Sequence, residues 1–187
     1  MSTEADRDRV SVPLAPNSSV ELIGSRLVVR GPNGEVARAF PAGALTVSVA
    51  GANALLTLTI PANRKRAQAL LHTWAAHVRN LSVGVTVGFE AKMKVVAAHF
   101  PMKVSAKDDH LLIENFLGEK HPRTAPLVAG VAAAVDGDFV VLSGRDIEQV
   151  GQSAANIERA TRIRDYDPRV FQDGIYLIEH AHPKGSI

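Results

Sequence analysis

The sequence predicts an α+β fold made of two tandem copies of a small domain, each an antiparallel-rich sheet packed against one helix. Two observations carry this. Residues 27–35 (LVVRGPNGE) line up with residues 111–119 (LLIENFLGE) at an offset of 84, and Val20 meets Val104 at the same offset. The order of the elements also recurs: in each half a run of strand signals is followed by one helix signal.

Taken in order, residues 1–16 are expected to form an N-terminal extension. Met1 to Val10 is charged and lacks an apolar core, so no secretory signal is expected there. The first repeat is expected over residues 17–99. Apolar runs at 45–49 and 54–60 flank Gly51 and predict a hairpin. Ala67, Leu70, Leu71, Trp74, Ala75 and Val78 then fall at i, i+3, i+4, i+7, i+8 and i+11, one apolar stripe of an amphipathic helix. A strand at 93–98 is expected to close this half, with the boundary near Phe100-Pro101-Met102, where proline favours extended backbone.

The second repeat is expected over residues 100–180. Runs at 131–135 and 139–142 flank Asp136-Gly137-Asp138, a hairpin turn in which glycine accepts positive φ. Asp146-Ile147-Glu148-Gln149 reads as a capping box, and Ile147, Val150, Ala154 and Ile157 form the buried face of the helix it starts. A strand at 175–178 closes this half. Residues 181–187 are expected to be a solvated tail, entered through His180 and carrying His182.

Composition narrows the function classes. The 187 residues are 46% hydrophobic and 21% charged, enough apolar material for a core. With no cysteine, the chain has no disulfide, thiolate metal site or cysteine nucleophile. Aromatics at 5% are too sparse for a platform that stacks successive single-stranded bases. No apolar run approaches the roughly 18 residues that span a bilayer, so no membrane partner is expected. Net charge is only +2, so any polyanion must be met by a local basic face. Nine basic and five acidic residues precede residue 87, against twelve and fourteen after it.

No catalytic, metal or cofactor site is expected. There is no phosphate loop, and no dinucleotide fingerprint follows a strand. His72 and His77 are five apart, off the i, i+4 spacing of helical ligands. Asp165-Tyr166-Asp167 lacks the glycine and glutamate that a calcium loop needs next. The informative stretch is 144–176. Arg159, Arg162, Arg164 and Arg169 fall within eleven positions at and after the helix end. Cations there complement the helix dipole, yet four guanidinium forks so close together also suit phosphate oxygens. Gly151 costs about 1 kcal/mol inside a helix; it is expected to serve close helix-to-sheet packing, with close approach of an RNA backbone as the alternative. Residues 115–123 offer a second polar and basic loop. Arg64-Lys65-Arg66 at the first helix start leaves open whether that half also meets a phosphate.

Four segments resemble one known family. They are His99-Phe100-Pro101-Met102, residues 113–120 (IENFLGEK), residues 150–158 (VGQSAANIE) and residues 167–176 (DPRVFQDGIY), in order through the second half. The resemblance is to the large-subunit ribosomal protein L6 family in its archaeal form. It implies a structural constituent of the large ribosomal subunit, cytoplasmic and without a cofactor. It also implies seating on large-subunit rRNA near the sarcin–ricin loop and stalk base, beside neighbouring ribosomal proteins and close to where translational GTPases dock. By the same resemblance the second repeat carries the main rRNA contacts, assigned to Asn115, Lys120, Arg123, Gln152, Asn156, Arg159, Arg162, Arg169 and Gln172. Two other readings stay open on residues alone. One is a small hydrolytic or metal-dependent enzyme using the Asp165–Asp173 loop, and the other is a protein–protein adaptor working through a sheet edge or the first helix.

Overall fold

The computed structural model describes residues 8–59, 65–167 and 169–185. The chain divides into two compact units, residues 1–88 and 89–187. The first runs β1 (Arg9–Pro13), β2 (Ser19–Ile23), β3 (Arg26–Gly31), β4 (Gly34–Ala39), β5 (Leu45–Ala50), β6 (Asn53–Leu58) and α1 (Lys65–Thr86). Its strands form two antiparallel sheets, in the orders β1-β6-β5 and β2-β3-β4. The period-2 alternation of β6 buries Ala54, Leu56 and Leu58, and the α1 stripe covers them with Ala67, Leu71, Trp74, Ala75 and Val78. Val12, Leu27, Val29 and Leu45 belong to the same core.

The second unit runs β7 (Phe89–Val96), β8 (Lys103–Ala106), β9 (His110–Glu114), a short 3-10 turn (Phe116–Gly118), β10 (Arg123–Pro126), β11 (Val131–Asp136), β12 (Phe139–Gly144), α2 (Ile147–Ala160) and β13 (Gly174–Pro183). Its sheets are ordered β10-β9-β8 and β11-β12-β7-β13. Val150, Ala154 and Ile157 of α2 are buried, as are Ala91, Met93, Val140, Leu142 and Ile175 of the four-stranded sheet. Asp146 caps α2 as its spacing predicts, its Oδ1 accepting from the Glu148 N–H at 2.9 Å. The Gln149 side chain, expected to reach back to the cap, lies instead beside Gly130.

The duplication is visible in the strand registers. Val20 pairs with Val29, and 84 residues on Val104 pairs with Ile113. Val47 pairs with Leu56, and 86 residues on Ala133 pairs with Leu142. β1 lies against β6 as β7 lies against β12, with Val12 opposite Ala54 and Met93 opposite Val140.

Four sequence expectations about the division of the chain differ from what the structure places. The strand at 93–98, expected to close the first half, is part of β7 and pairs with β12 and β13 in the second unit. The units therefore divide at 88/89, where the sequence pattern predicts a repeat boundary at 99/100. The expected extension 1–16 contains β1, whose Val12 is wholly buried. Alternating apolar residues mark a strand, but they do not say which sheet it joins. At the other end β13 runs on through Pro183, with register shifts between Leu177 and Glu179 and between Glu179 and His182. His182 thus lies in a strand, its Nε2 3.8 Å from Glu90, rather than in a solvated tail. Residues 1–7, 60–64, 186 and 187 lie outside the described residues, Arg64 of the basic triplet among them.

Candidate nucleic-acid interface

In each unit the connection between the last two strands of the three-stranded meander, β3–β4 or β9–β10, brings a side chain to the carbonyls left unpaired at a helix C-terminus. In the first unit Asn33 does this, its backbone N–H donating to Val85 O at 2.8 Å and its Nδ2 to Thr86 O at 3.0 Å. In the second the connection is three residues longer: Val29 and Val36 enclose six residues, Ile113 and Arg123 nine. Here Arg123 takes over. One guanidinium nitrogen donates to Ala160 O at 2.8 Å and to Arg162 O at 3.1 Å. Its Nε donates to Glu119 at 2.8 Å, and the guanidinium lies 4.2 Å from the centre of the Phe116 ring. The bond from Arg123 holds the Glu119 carboxyl below its ordinary range, against a smaller upward push from burial.

This arrangement draws the arginines together. Arg123, Arg159, Arg162 and Arg164 line one open cleft of about 370 Å3 at the C-terminal end of α2. Arg159, Arg162 and Arg164 are exposed, and none has an acidic partner among the described residues. Because α2 ends at Ala160, Arg162 and Arg164 stand beyond its last turn, where the helix dipole explains them less well than the sequence suggested. Arg164 was not among the expected contacts. Its signal was its place in the cluster of four arginines.

The other expected residues divide into three groups. Gln152 and Asn156 sit on α2, Gln152 Nε2 donating to Asn156 Oδ1 at 2.9 Å and Asn156 Nδ2 to Pro126 O at 3.0 Å. Asn115 is exposed but spends its side chain on the backbone, its Nδ2 donating to Pro101 O at 2.8 Å from a left-handed conformation, φ 59°. In the same contact Gly118 lies under the Phe100 ring, where a Cβ would approach within 3.3 Å. Two of the family-like segments are therefore packed on each other. Lys120, Arg169 and Gln172 are exposed on loops and do not line the arginine cleft. Arg169 is bound by Asp167 through two bonds of 3.1 Å, with 88% of its side chain exposed. That bond, with one from the Arg169 backbone, holds the Asp167 carboxyl below its usual range.

The close packing expected at Gly151 is not found: nothing lies within 4 Å of the position a Cβ would take. Nor do the carboxylates of 165–173 converge. Asp167 turns to Arg169, while Asp173 is 2% exposed and accepts from His99. Among the described residues no three metal-ligating side chains cluster, though Pro168 within this loop lies outside them.

The family model described as Ribosomal protein L6 matches residues 100–174. A Methanobrevibacter smithii protein named large ribosomal subunit protein uL6 is 45% identical over 176 residues, 93% of this chain and 96% of its own length. The chain belongs to the Ribosomal protein L6 family. Proteins of the same name from Ignicoccus hospitalis and Methanococcus vannielii are 48% and 41% identical, covering 84% and 94% of this chain and 87% and 94% of their own. Members of this family are structural proteins, not enzymes, which removes the hydrolytic reading of the 165–173 loop. The matched span takes in both packed motif segments, α2 and the arginine cleft.

Proposed function

We propose that this chain is a structural constituent of the large ribosomal subunit whose second unit clamps folded rRNA through phosphate and sugar contacts. The observation that carries the reading is the convergence of Arg159, Arg162 and Arg164, without acidic partners among the described residues, on one cleft whose floor Arg123 has already fixed. Guanidinium forks present paired donors at the spacing of phosphate oxygens, and a rigid floor lets them meet a backbone without ordering a loop first. A chain with net charge +2 holds rRNA only where cations are gathered in this way. Arg123 acts through the others, as a positioning residue. Arg169, neutralised by Asp167, contributes less than its exposure suggests.

Seating near the sarcin–ricin loop and stalk base, beside neighbouring large-subunit proteins and the docking place of translational GTPases, follows from the family-like segments of the second half. On this reading the protein is positional: it neutralises phosphates so that RNA helices can approach. The test is the salt dependence of binding to an archaeal large-subunit rRNA transcript. Replacing Arg159, Arg162 and Arg164 with alanine should flatten the log–log salt slope by about 0.7–0.9 for each phosphate that is no longer neutralised. Arg169→Ala should change it least. An unchanged slope for the triple variant overturns the proposal.

A further inference from the structure

A second open cleft, of about 650 Å3, adjoins the first and shares Arg159 and Arg162 with it. Its chemistry is different. Ala155, Ile163, Phe171 and Tyr176 give it apolar walls, with Glu158 and Thr161 at the side. The two aromatic rings are not equivalent. Phe171 is already occupied, with its centre 4.6 Å from the His99 ring and 4.8 Å from the Tyr166 ring. Tyr176 has no ring partner among the described residues and remains 44% exposed.

Tyr176 is nevertheless held in place. Its hydroxyl donates to Gln172 O at 3.1 Å. Its ring lies over Gly174, where a Cβ would come 3.1 Å from two ring carbons and the hydroxyl oxygen. The strand edge it stands on is sealed by α2, with Thr161 Oγ1 accepting from the Ile175 N–H at 3.1 Å and Glu158 Oε1 from the Leu177 N–H at 3.0 Å. An exposed aromatic ring fixed over a glycine, beside two arginines without acidic partners among the described residues, is a surface prepared for a flat ligand attached to an anion.

Building on the rRNA reading above, we propose that this second cleft receives one unstacked nucleobase, stacked on Tyr176, while Arg159 and Arg162 hold the adjoining phosphate. The partner is then not plain A-form helix, whose bases are enclosed, but a loop or bulge that can turn a base outward. A single ring suffices for one base, so the scarcity of aromatics in the chain is no obstacle.

The experiment binds the full chain to an archaeal large-subunit rRNA transcript and probes the Watson–Crick edges chemically, with urea unfolding of each variant as the fold control. Tyr176→Ala is expected to weaken binding about five- to a hundredfold, the usual effect of losing one base–aromatic stack. Its salt slope should stay that of the parent, and one nucleotide protected by the parent should become reactive. Tyr176→Phe keeps the ring and should bind like the parent, and Gly174→Ala, whose Cβ presses on the ring by a few tenths of an ångström, should fall between the two. Parent-like affinity and protection for Tyr176→Ala overturn the base cleft. If the triple arginine variant still has a flattened slope in that case, the rRNA reading stands without it. If that variant keeps the parent's slope, both fall.

Discussion

His99 grips Asp173 from two directions across 74 residues of chain, its backbone N–H donating to Oδ1 at 2.9 Å and its ring Nδ1 lying 2.6 Å from Oδ2. The pair ties the segment after β7 to the segment before β13, and so anchors the far end of the arginine-bearing loop. Phe171, two residues from Asp173, stacks on the same histidine ring.

The acid dependence of this bond follows from its surroundings. Burial pushes the Asp173 carboxyl upward, but the bonds from the His99 backbone and ring, with one from the Ala98 backbone, outweigh it and leave the group below its ordinary range. A carboxyl whose folded value is depressed contributes stability that is complete above its unfolded value, roughly 3.9, and is lost as pH falls through the folded one. Asp173→Asn should therefore cost roughly 1–3 kcal/mol at neutral pH and give a flatter acid limb. Urea unfolding between about pH 2 and 7 reads both effects. Parallel curves for parent and variant would refute the assignment.

Arg123 should behave as a positioning residue. Arg123→Lys keeps the charge but cannot serve the Ala160 and Arg162 carbonyls and the Glu119 carboxylate together. Both Arg123→Lys and Arg123→Ala should lower stability, by roughly 1–3 kcal/mol for the alanine variant. In either one the Glu119 carboxyl should move back up toward the ordinary glutamate range, which carboxyl NMR titration reads directly. A Glu119 titration that ignores both substitutions would show that the bond does not govern it.

These two residues also show where the sequence could be read and where it could not. The repeat was legible because paired strands keep their register: Val20, Val29, Val104 and Ile113 occupy equivalent rungs in both units. The strand expected at 93–98 overlaps only the second half of Phe89–Val96, and its alternation fits either sheet; only the pairing of Met93 with Val140 and of Val95 with Ile175 puts it in the second unit. At the interface the cluster of arginines stood out in the sequence, but its division of labour did not. Arg123 is consumed by a helix end 37 residues away, and no spacing rule announces that contact. Gln172 and Tyr176, by contrast, are four apart and bonded to each other, yet their importance depends on the bare surface of Gly174 beneath the ring.

Gly31 should prove irreplaceable for a steric reason. A Cβ there would lie 2.7 Å from both the carbonyl oxygen and Cγ2 of Val85, where β3 crosses the end of α1. The carbonyl is backbone and cannot step aside without disturbing the Asn33 bond it accepts at 2.8 Å. Gly31→Ala should cost about 1–3 kcal/mol, the usual penalty for overpacking. Gly43→Ala, with nothing within 4 Å, is the control and should unfold like the parent. Equal urea midpoints for the two variants would show that the crossing has room to spare.

Gly151 makes the opposite prediction for stability and the sharper one for function. It lies within α2, exposed, with empty space where a side chain would begin. Replacing it with alanine removes the entropic cost of glycine in a helix and should raise stability by about 0.5–1 kcal/mol. A position that gives up stability without any packing reason fits a surface that another backbone must approach closely, and Gln152 follows it directly on the exposed side of the helix. Gly151→Ala should then weaken rRNA binding by about tenfold, equivalent to roughly 1.4 kcal/mol of displaced interaction, even as the free protein becomes harder to unfold. Measured together, the two effects separate a packing role from a binding role, since packing predicts reduced stability and binding predicts raised stability with reduced affinity. A variant that is more stable and binds like the parent would remove Gln152 and this stretch of α2 from the interface and leave the arginine cleft to carry it alone.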